Sequence, residues 1–385
     1  MQSPAVWGCS VFSWLFSRRW SAVIAGAWLC AGCAVPISKL PGISPDAVEA
    51  EHRKEQVAQI RDYYAQLGRV ENVAFRLRVA NREFCKTVTA QIGMHAATVE
   101  SLPHKFRSYS NEALDVSWTK PTVIAVADGS PAAAAGIKTG DQIQRLNDVP
   151  VPPYRTAGWI DDQLANNGVK PAQIALRHDG VDRTVTVTPV MACAIPIKLV
   201  TNQQPNAFTG PDKITIQSGI LRIASTDAEL AVVIGHELAH ANLGHYDKRL
   251  QNALLGAFSG LLVDGGFLVG GIYTRGTFTR HFMQAGVLAF SVGFEREADY
   301  FGCYYAARAG YDISGAENFW RNVALENPDS IRLATTHPTS PERFVLMQQV
   351  IAEIKDKQRR QLPLVPELKP SLTQPAPAVG REYNY

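Results

Sequence analysis

His236, Glu237 and His240 form an H-E-x-x-H motif at the end of an apolar run, L-A-V-V-I. Thr226 and Glu229 form a capping-box pattern before this run, which predicts that a buried helix begins here. Residues four apart share a helix face, so both imidazoles can point at one ion with Glu237 beside them. Imidazole suits zinc, and a neighbouring carboxylate suits a general base for water. Two chance histidines on a helix are the alternative.

A catalytic zinc site needs a third protein ligand, and residues 294–302 offer two candidates. Glu295 and Asp299 lie four residues apart in a helix-forming stretch, so they share a helix face. One can bind metal while the other holds a ligand histidine. The alternative is a solvated acidic helix. A metzincin is excluded, because Leu243 and Tyr246 stand where its pattern requires glycine and a third histidine.

Three motifs in order, G-H-E-L-A-H, E-x-x-A-D and T-H-P, resemble the HtpX-type and CAAX-prenyl-protease-type gluzincin zinc peptidases. The resemblance covers about residues 206–354. It implies that Glu295 is the third zinc ligand and that Asp299 supports a ligand histidine. It also implies that a strand of the hairpin expected at 206–224 edges the substrate cleft.

His337, the histidine of T-H-P, precedes Pro338, which keeps it out of the helical conformation and predicts a loop. The resemblance implies that this histidine approaches the metal, with Arg343 behind it. Two roles are open. His337 can stabilise the oxyanion of the attacked carbonyl, or it can occupy the open zinc position as a gate, which we favour. An ordinary loop histidine is the alternative.

The chain has 385 residues, 46% of them hydrophobic, which allows two or three domains with real cores. Its net charge of +3 is too small to indicate a nucleic-acid partner. The predicted fold class is α+β: a mainly helical gluzincin metallopeptidase domain with a small edge hairpin, and a small β-rich PDZ domain. The expected segments are a signal peptide (1–33), a linker and N-terminal helix (34–106), the PDZ-like domain (107–192), the peptidase domain (195–357) and a disordered Pro-rich tail (358–385).

Residues 122–151 read as a strand, a turn, a short helix and another strand, and they resemble a bacterial PDZ domain. Residues 159–166 predict the helix that flanks the peptide in such a domain. PDZ domains bind an extended peptide by adding it to a sheet edge. No carboxylate-binding loop of the G-L-G-F kind is recognised before Ala113, so peptide binding, a substrate tether and a lid all stay open.

The N-terminal segment predicts export. Two arginines precede a short apolar run at 20–29, followed by L-C-A-G-C. This run is too short to indicate a membrane span. The sequence L-C-A-G-C resembles a bacterial lipobox, which implies a lipid anchor at Cys33. Because Ala34 follows, the resemblance implies an outer-membrane lipoprotein that faces the periplasm. An ordinary cleaved signal is the alternative.

Between the two motif helices, residues 254–290 are apolar and rich in glycine. Asp264, Arg275, Arg280 and His281 interrupt this segment before any apolar run reaches the length that spans a membrane. We therefore expect a helical hairpin over the active site.

Cys85 and Cys193 flank the PDZ-like segment. The ends of an inserted domain usually lie close together, and an exported protein can form disulfides. We expect a Cys85–Cys193 disulfide at the neck of that domain. Cys303 is expected to be a small buried residue. Three free thiols are the alternative.

These features predict an exported zinc metalloendopeptidase with one Zn²⁺ per chain, acting in the cell envelope and in protein quality control there. Glu237 would take a proton from the attacking water and deliver it to the leaving amine. The partners that the resemblance implies are protein or peptide substrates, the membrane through the lipid anchor, and outer-membrane assembly components. The alternative is a PDZ-based binding or chaperone-like lipoprotein with a latent zinc site.

Overall fold

The computed structural model describes residues 38, 40–152, 156–288, 291–326 and 341–369. The chain divides into two units, Met1–Glu49 and Ala50–Tyr385. In the first unit, the described residues are exposed and end in the first turns of a helix. The signal segment with Cys33, the T-H-P loop with His337, and residues 370–385 lie outside the described residues.

The described residues are mainly helical with three small β-sheets. The helices are α1 Pro45–Ala80, α2 Ser110–Leu114, α3 Pro131–Ala134, α4 Thr156–Asn167, α5 Ile220–Ile223, α6 Asp227–Asn242, α7 His245–Val269, α8 Thr277–Leu288, α9 Ser291–Arg308, α10 Ala316–Glu326 and α11 Pro341–Arg359. The strands are β1 Val88–Gln91, β2 Met94–Ala97, β3 Thr122–Val126, β4 Gln142–Leu146, β5 Val149–Pro150, β6 Ala172–His178, β7 Val181–Val187, β8 Val190–Cys193, β9 Ile197–Val200, β10 Ala207–Thr209 and β11 Ile214–Gln217.

The larger core is helical. The part of α1 that belongs to the second unit contributes a stripe of buried apolar residues at helical spacing, which includes Ile60, Leu67, Val70 and Leu77. This stripe belongs to the same apolar cluster as the buried faces of α6, α9, α10 and α11. The fold therefore builds one helical body around α6.

A six-stranded antiparallel sheet forms a second body, which we call the sheet domain (residues 94–187). Its strand order is β2-β3-β4-β6-β7, with β5 paired to β4. In β6, Ala172, Ile174 and Leu176 alternate inward onto a separate core that also contains α4. The sheet begins at β2, earlier than the boundary at 107 that the sequence indicated, because this short strand carries little apolar signal yet pairs with β3.

The two bodies are joined by paired strands. β1 enters the sheet domain and β8 leaves it, and they pair antiparallel with Val88 opposite Cys193. Cys85 and Cys193 form a disulfide at this neck, with their Cα atoms 5.6 Å apart. Cys303 is buried, and its thiol is free.

The peptidase segment opens with a three-stranded sheet. β11 pairs parallel with β9 and antiparallel with β10, which lies at the edge. The chain then passes through α5 into α6. Helix α9 packs on α6 and α11 packs on α9, while α7 and α8 pair as a helical hairpin.

The first part of the tail is ordered against this body, contrary to the expectation of disorder from residue 358. Leu364 packs on the main core and Pro366 is buried. The Arg308 guanidinium donates to the Leu364 carbonyl at 3.0 Å. Proline-rich composition suggested disorder, but packing of Leu364 and hydrogen bonds to the backbone of the segment hold it here.

Candidate metal centre

Helix α6 carries the H-E-x-x-H motif into the interior. The Thr226 hydroxyl accepts from the Glu229 amide at 3.2 Å, and the Glu229 carboxylate accepts from the Thr226 amide at 3.0 Å. This capping box fixes where the helix begins. From Leu230 to His240 every residue is buried, so both histidines point into protein rather than solvent.

Two glycines allow α9 to approach α6 closely. A Cβ placed on Gly235 would lie 2.7 Å from the Gly302 carbonyl oxygen, and one on Gly302 would lie 2.7 Å from the His236 amide nitrogen. The two backbones are therefore in contact. Asp299 lies one helical turn before Gly302, and Glu295 lies two turns before it. Both carboxylates reach the histidines of α6.

His236, His240 and Glu295 are brought together with their ligand atoms within 4.8 Å of one another. His236 Nε2 lies 3.3 Å from one Glu295 oxygen, and His240 Nε2 lies 3.5 Å from the other. The two Nε2 atoms are 3.0 Å apart. Tetrahedral zinc with bonds of about 2.0–2.2 Å places neighbouring ligand atoms about 3.3–3.6 Å apart. The distances of 3.0, 3.3 and 3.5 Å here are close to these values, so the residues fit a zinc ion.

The hydrogen bonds assign the tautomers of both histidines. His236 Nδ1 lies 3.0 Å from an oxygen of Asp299, which accepts its proton. His245 Nε2 donates to Glu297 at 2.9 Å, so His245 Nδ1 accepts from His240 Nδ1 at 2.8 Å. Both Nε2 lone pairs therefore face the same point. At this separation they repel unless a proton or a metal cation lies between them.

The pKa shifts agree with this assignment. Burial lowers the pKa of His240 to about 4, so this ring is neutral. Burial also lowers the pKa of His236, but the hydrogen bonds and charges of Asp299 and Glu295 outweigh it and raise the pKa to about 9. The hydrogen bond from His245 lowers the pKa of Glu297 and keeps it an acceptor. The metal-free site thus holds one proton where a cation would bind.

Arginines balance the buried carboxylates. Arg343 is buried and bonds Asp299 with both nitrogens of its fork, at 2.7 and 2.8 Å. Burial raises the pKa of Asp299, but the charge of Arg343 lowers it below its usual value. Arg249 donates to Glu295 at 2.7 Å. The guanidinium of Arg343 also lies 5.0 Å over the ring of Trp320.

Glu237 is buried beside the histidines and contacts the edge strand. Its Oε2 lies 2.8 Å from the hydroxyl of Thr209, the last residue of β10. The same hydroxyl lies 2.7 Å from the Glu237 carbonyl oxygen. The carboxylate is therefore oriented by the strand that borders the site, as a general base requires.

Two crossing helices thus hold a buried His-His-Glu cluster with Glu237 beside it. Residues 190–350 match the model of Peptidase family M48. We call this region the M48 domain. The candidate ligands His236, His240 and Glu295 and the buried Glu237 all lie in this region.

Curated relatives of the M48 domain include proteins named as metalloendopeptidases and as a protease. The mitochondrial metalloendopeptidase OMA1 of Arabidopsis thaliana is 33% identical over 146 residues, 37% of this chain and 29% of that protein. OMA1 of Schizosaccharomyces pombe is 26% identical over 180 residues, 46% of this chain and 52% of that protein. The beta-barrel assembly-enhancing protease of Yersinia pestis is 28% identical over 162 residues, 38% of this chain and 32% of that protein. The chain spans about half the length of these relatives, or less.

Two solved structures are similar to about a quarter of this chain. The HtrA3 PDZ domain bound to a phage-derived ligand is 21% identical and covers 27% of this chain and 88% of that chain, with a TM-score of 0.22. The HtrA-type protease AlgW with a decapeptide is 19% identical, and the match covers 27% of this chain and 30% of that chain, also with a TM-score of 0.22. The HtpX or CAAX-prenyl-protease type stays a prediction.

A cavity of about 250 Å³ adjoins the metal centre of the M48 domain. Its lining includes Thr209, Gly210, His240, Tyr246 and Asp247. It thus lies between the edge strand and the start of α7.

The sequence reasoning missed several residues of this M48 site. His245 is the residue that the sequence signalled most clearly, since it is a third histidine five residues after the last histidine of H-E-x-x-H. Arg249 lies one helical turn further along α7, and Glu297 lies between the two acidic residues that were singled out. Thr209 and Trp320 had no recognisable signal, because they reach the site only through tertiary packing.

Proposed function

We propose that this protein is a zinc-dependent endopeptidase that hydrolyses protein substrates in the bacterial periplasm. The observation that carries the proposal is the convergence of two imidazole lone pairs and a carboxylate on one buried point, with Glu237 beside it. An open three-ligand site with an adjacent base suits catalysis better than structural zinc, which has four protein ligands.

Each residue then has a task. His236, His240 and Glu295 would hold the metal, which when bound supplies a Lewis acid that activates water at neutral pH. Asp299 and His245 fix the two imidazole tautomers. Glu237 accepts a proton from the attacking water on its carboxylate and delivers it to the leaving amine, while Thr209 holds that carboxylate in place.

The protein substrate class rests on the relatives, which are named metalloendopeptidases and a beta-barrel assembly-enhancing protease. We extend the proposal to envelope protein quality control, with outer-membrane assembly components among the partners. The Cys85–Cys193 disulfide supports an oxidising compartment. We further propose a lipid anchor at Cys33 in the outer membrane, which labelling with fatty acid would test against Cys33→Ser.

We also propose that His337 gates the site. Arg343 stands six residues after His337 in the sequence and bonds Asp299 inside the centre, so the described residues that follow the T-H-P motif lie at the site. If His337 occupies the open metal position, His337→Ala should raise proteolysis without changing zinc content. Lower turnover with unchanged substrate affinity would assign His337 to oxyanion stabilisation instead.

The sheet domain is proposed to be the PDZ domain. Helix α4 and strand β2 border a cavity of about 460 Å³, and Gly93 turns the chain into β2 with a φ of +74°. Helix α1 also lines this cavity through Glu71, and His95 of β2 lies 3.2 Å from that carboxylate. An extended peptide would have to displace this contact to reach β2, which leaves both recruitment and closure open to test.

The cavity beside α4 and β2 favours one alternative function, a binding or chaperone-like lipoprotein with a latent zinc site. An assay of casein cleavage separates the peptidase function from the binding function. It compares the full chain with its Glu237→Gln variant and with the exposed control Glu326→Gln. Loss of cleavage in Glu237→Gln alone, with zinc retained, supports the peptidase. Equal cleavage by parent and Glu237→Gln would overturn it, and no cleavage by any form with peptide still bound would favour the binding role.

A further inference from the structure

The α7–α8 hairpin carries a large apolar surface that faces away from its own packing. Eight apolar side chains of α7 are each between 50% and 92% exposed, namely Leu250, Leu254, Leu255, Phe258, Leu261, Leu262, Leu268 and Val269. At 100° per residue they fall on the side of α7 opposite the stripe that faces α8. We call these eight residues the hairpin surface. An exposed apolar patch of this kind marks an interaction site.

The hairpin is held together by backbone contact rather than by its large side chains. Gly256 and Gly260 form a G-x-x-x-G pattern, and a Cβ on them would lie 2.0 and 2.4 Å from the carbonyl oxygens of Phe282 and Phe278. Gly286 of α8 meets the Asn252 carbonyl oxygen in the same way, at 2.1 Å. Small residues inside and large apolar residues outside are the arrangement of helices that pack in an apolar solvent.

The acidic residue that interrupts the apolar sequence is covered. Asp264 is buried and accepts hydrogen bonds from the hydroxyl of Thr274, the amide of Phe278, and both the amide and the hydroxyl of Thr279. Its charge is therefore satisfied inside the hairpin and does not reach the outer surface.

The remaining charges near the tip of the hairpin are positive. Arg275 and Arg280 are exposed, and no described carboxylate lies within ion-pair distance of either. Arg280 donates to the carbonyl oxygen of Arg275 at 2.8 Å. Exposed guanidinium groups beside an apolar face complement anionic lipid headgroups.

Helix α7 is long and apolar enough to cross a membrane by length and composition, and only 11% of its most apolar window is buried. It is therefore neither a core helix nor an N-terminal signal. Its first residue, His245, is buried in the metal centre, and the chain returns along α8. Because α8 has 12 residues, about 18 Å of helix, it is too short to span the hydrocarbon core, which favours a hairpin lying in the membrane surface over one that crosses it.

We propose that the hairpin surface docks the M48 domain onto a lipid bilayer that contains anionic headgroups. The eight apolar side chains enter the interfacial region, while Arg275 and Arg280 contact lipid phosphates. Because α7 starts at the metal centre, docking places the site close to the bilayer and to substrates at the membrane surface.

Flotation of the full chain with vesicles tests this proposal. Every form carries Cys33→Ser, so that no acyl chain contributes, and phosphatidylcholine vesicles are compared with and without phosphatidylglycerol. Leu254→Glu/Phe258→Glu should lower the partition coefficient about a hundredfold or more, since two large apolar side chains are lost from the interface. The matched control Val149→Glu/Val181→Glu, on exposed residues of the sheet domain, should bind like the parent.

The charge is tested separately by Arg275→Glu/Arg280→Glu, with Lys170→Glu/Arg360→Glu as the exposed control. Arg275→Glu/Arg280→Glu should lose most of the preference for phosphatidylglycerol, so that its partition coefficient to these vesicles falls about tenfold or more. Equal flotation of parent and both hairpin variants would overturn the proposal and assign any binding to the N-terminal segment. Self-association of the parent without flotation, abolished by Leu254→Glu/Phe258→Glu, would overturn it in favour of a second copy of the chain.

Discussion

His245 Nδ1 lies 2.8 Å from Nδ1 of His240, and its other nitrogen donates to Glu297. This relay fixes which nitrogen of His240 keeps its lone pair. A ligand imidazole that is oriented in this way binds metal more tightly, and loss of such a partner typically costs about 10–100-fold in affinity.

We therefore expect His245→Ala to weaken zinc binding about 10–100-fold. His245→Gln should recover part of the loss, because its amide oxygen can accept from His240. Competition with a chelator measures both values, and the exposed His104→Ala serves as the control. An unchanged affinity in His245→Ala would mean that His240 is oriented without the relay.

The crossing of α6 and α9 predicts a second effect. Gly302→Ala places a methyl group 2.7 Å from the His236 amide nitrogen, so the helices must separate and Glu295 must withdraw. Zinc content and thermal stability should both fall. Gly293→Ala, in the same helix but with nothing within 4 Å, should lower neither. Equal behaviour of the two variants, by metal analysis and thermal denaturation, would refute the close-crossing explanation.

Zinc binding should release a proton. The pKa of His236 is lowered by burial but raised more by Asp299 and Glu295, to about 9, so the metal-free site is protonated at pH 7. Affinity should then rise with pH and level off above about 9. The stability that this proton gives the metal-free protein is present below about pH 6.5 and is lost as pH rises through about 9.

Calorimetry at pH 7 in buffers of different ionisation enthalpy measures this release. About one proton per zinc is expected, and Asp299→Asn should reduce it, because a neutral amide at this position cannot hold the charged imidazole. Zinc binding with no buffer dependence would contradict the assigned charge of the metal-free site.

The neck disulfide predicts a stability effect. It closes a loop with a sequence separation of 108, which in the chain-entropy model contributes about 4–5 kcal/mol. Reduction, or Cys85→Ser, should therefore lower the melting temperature of the full chain. Mass spectrometry of a non-reduced digest should find Cys85 joined to Cys193. Free thiols at both positions would show that the bond does not form in solution, and an unchanged melting temperature on reduction would show that it adds no stability.

Much of the site was predictable because its residues sit in short periodic patterns. H-E-x-x-H places His236 and His240 on one face, and the acidic pair of α9 repeats the same spacing. Thr209 was not predictable, since it reaches the site only by strand packing, and the role of His245 depends on how α7 packs although its position in the sequence was a signal. Asp264 shows the same limit, because the sequence displays its charge but not the Thr279 hydroxyl and amide that bond it.

The most direct test of the central proposal is an anomalous difference map at the zinc edge from crystals of the full chain. We predict one peak, about 2.0–2.2 Å from His236 Nε2, His240 Nε2 and a carboxylate oxygen of Glu295. The peak should remain in Glu237→Gln, because that residue is a base rather than a ligand. A zinc-replete crystal with no peak at this point, or with a peak bound by other residues, would contradict the proposal.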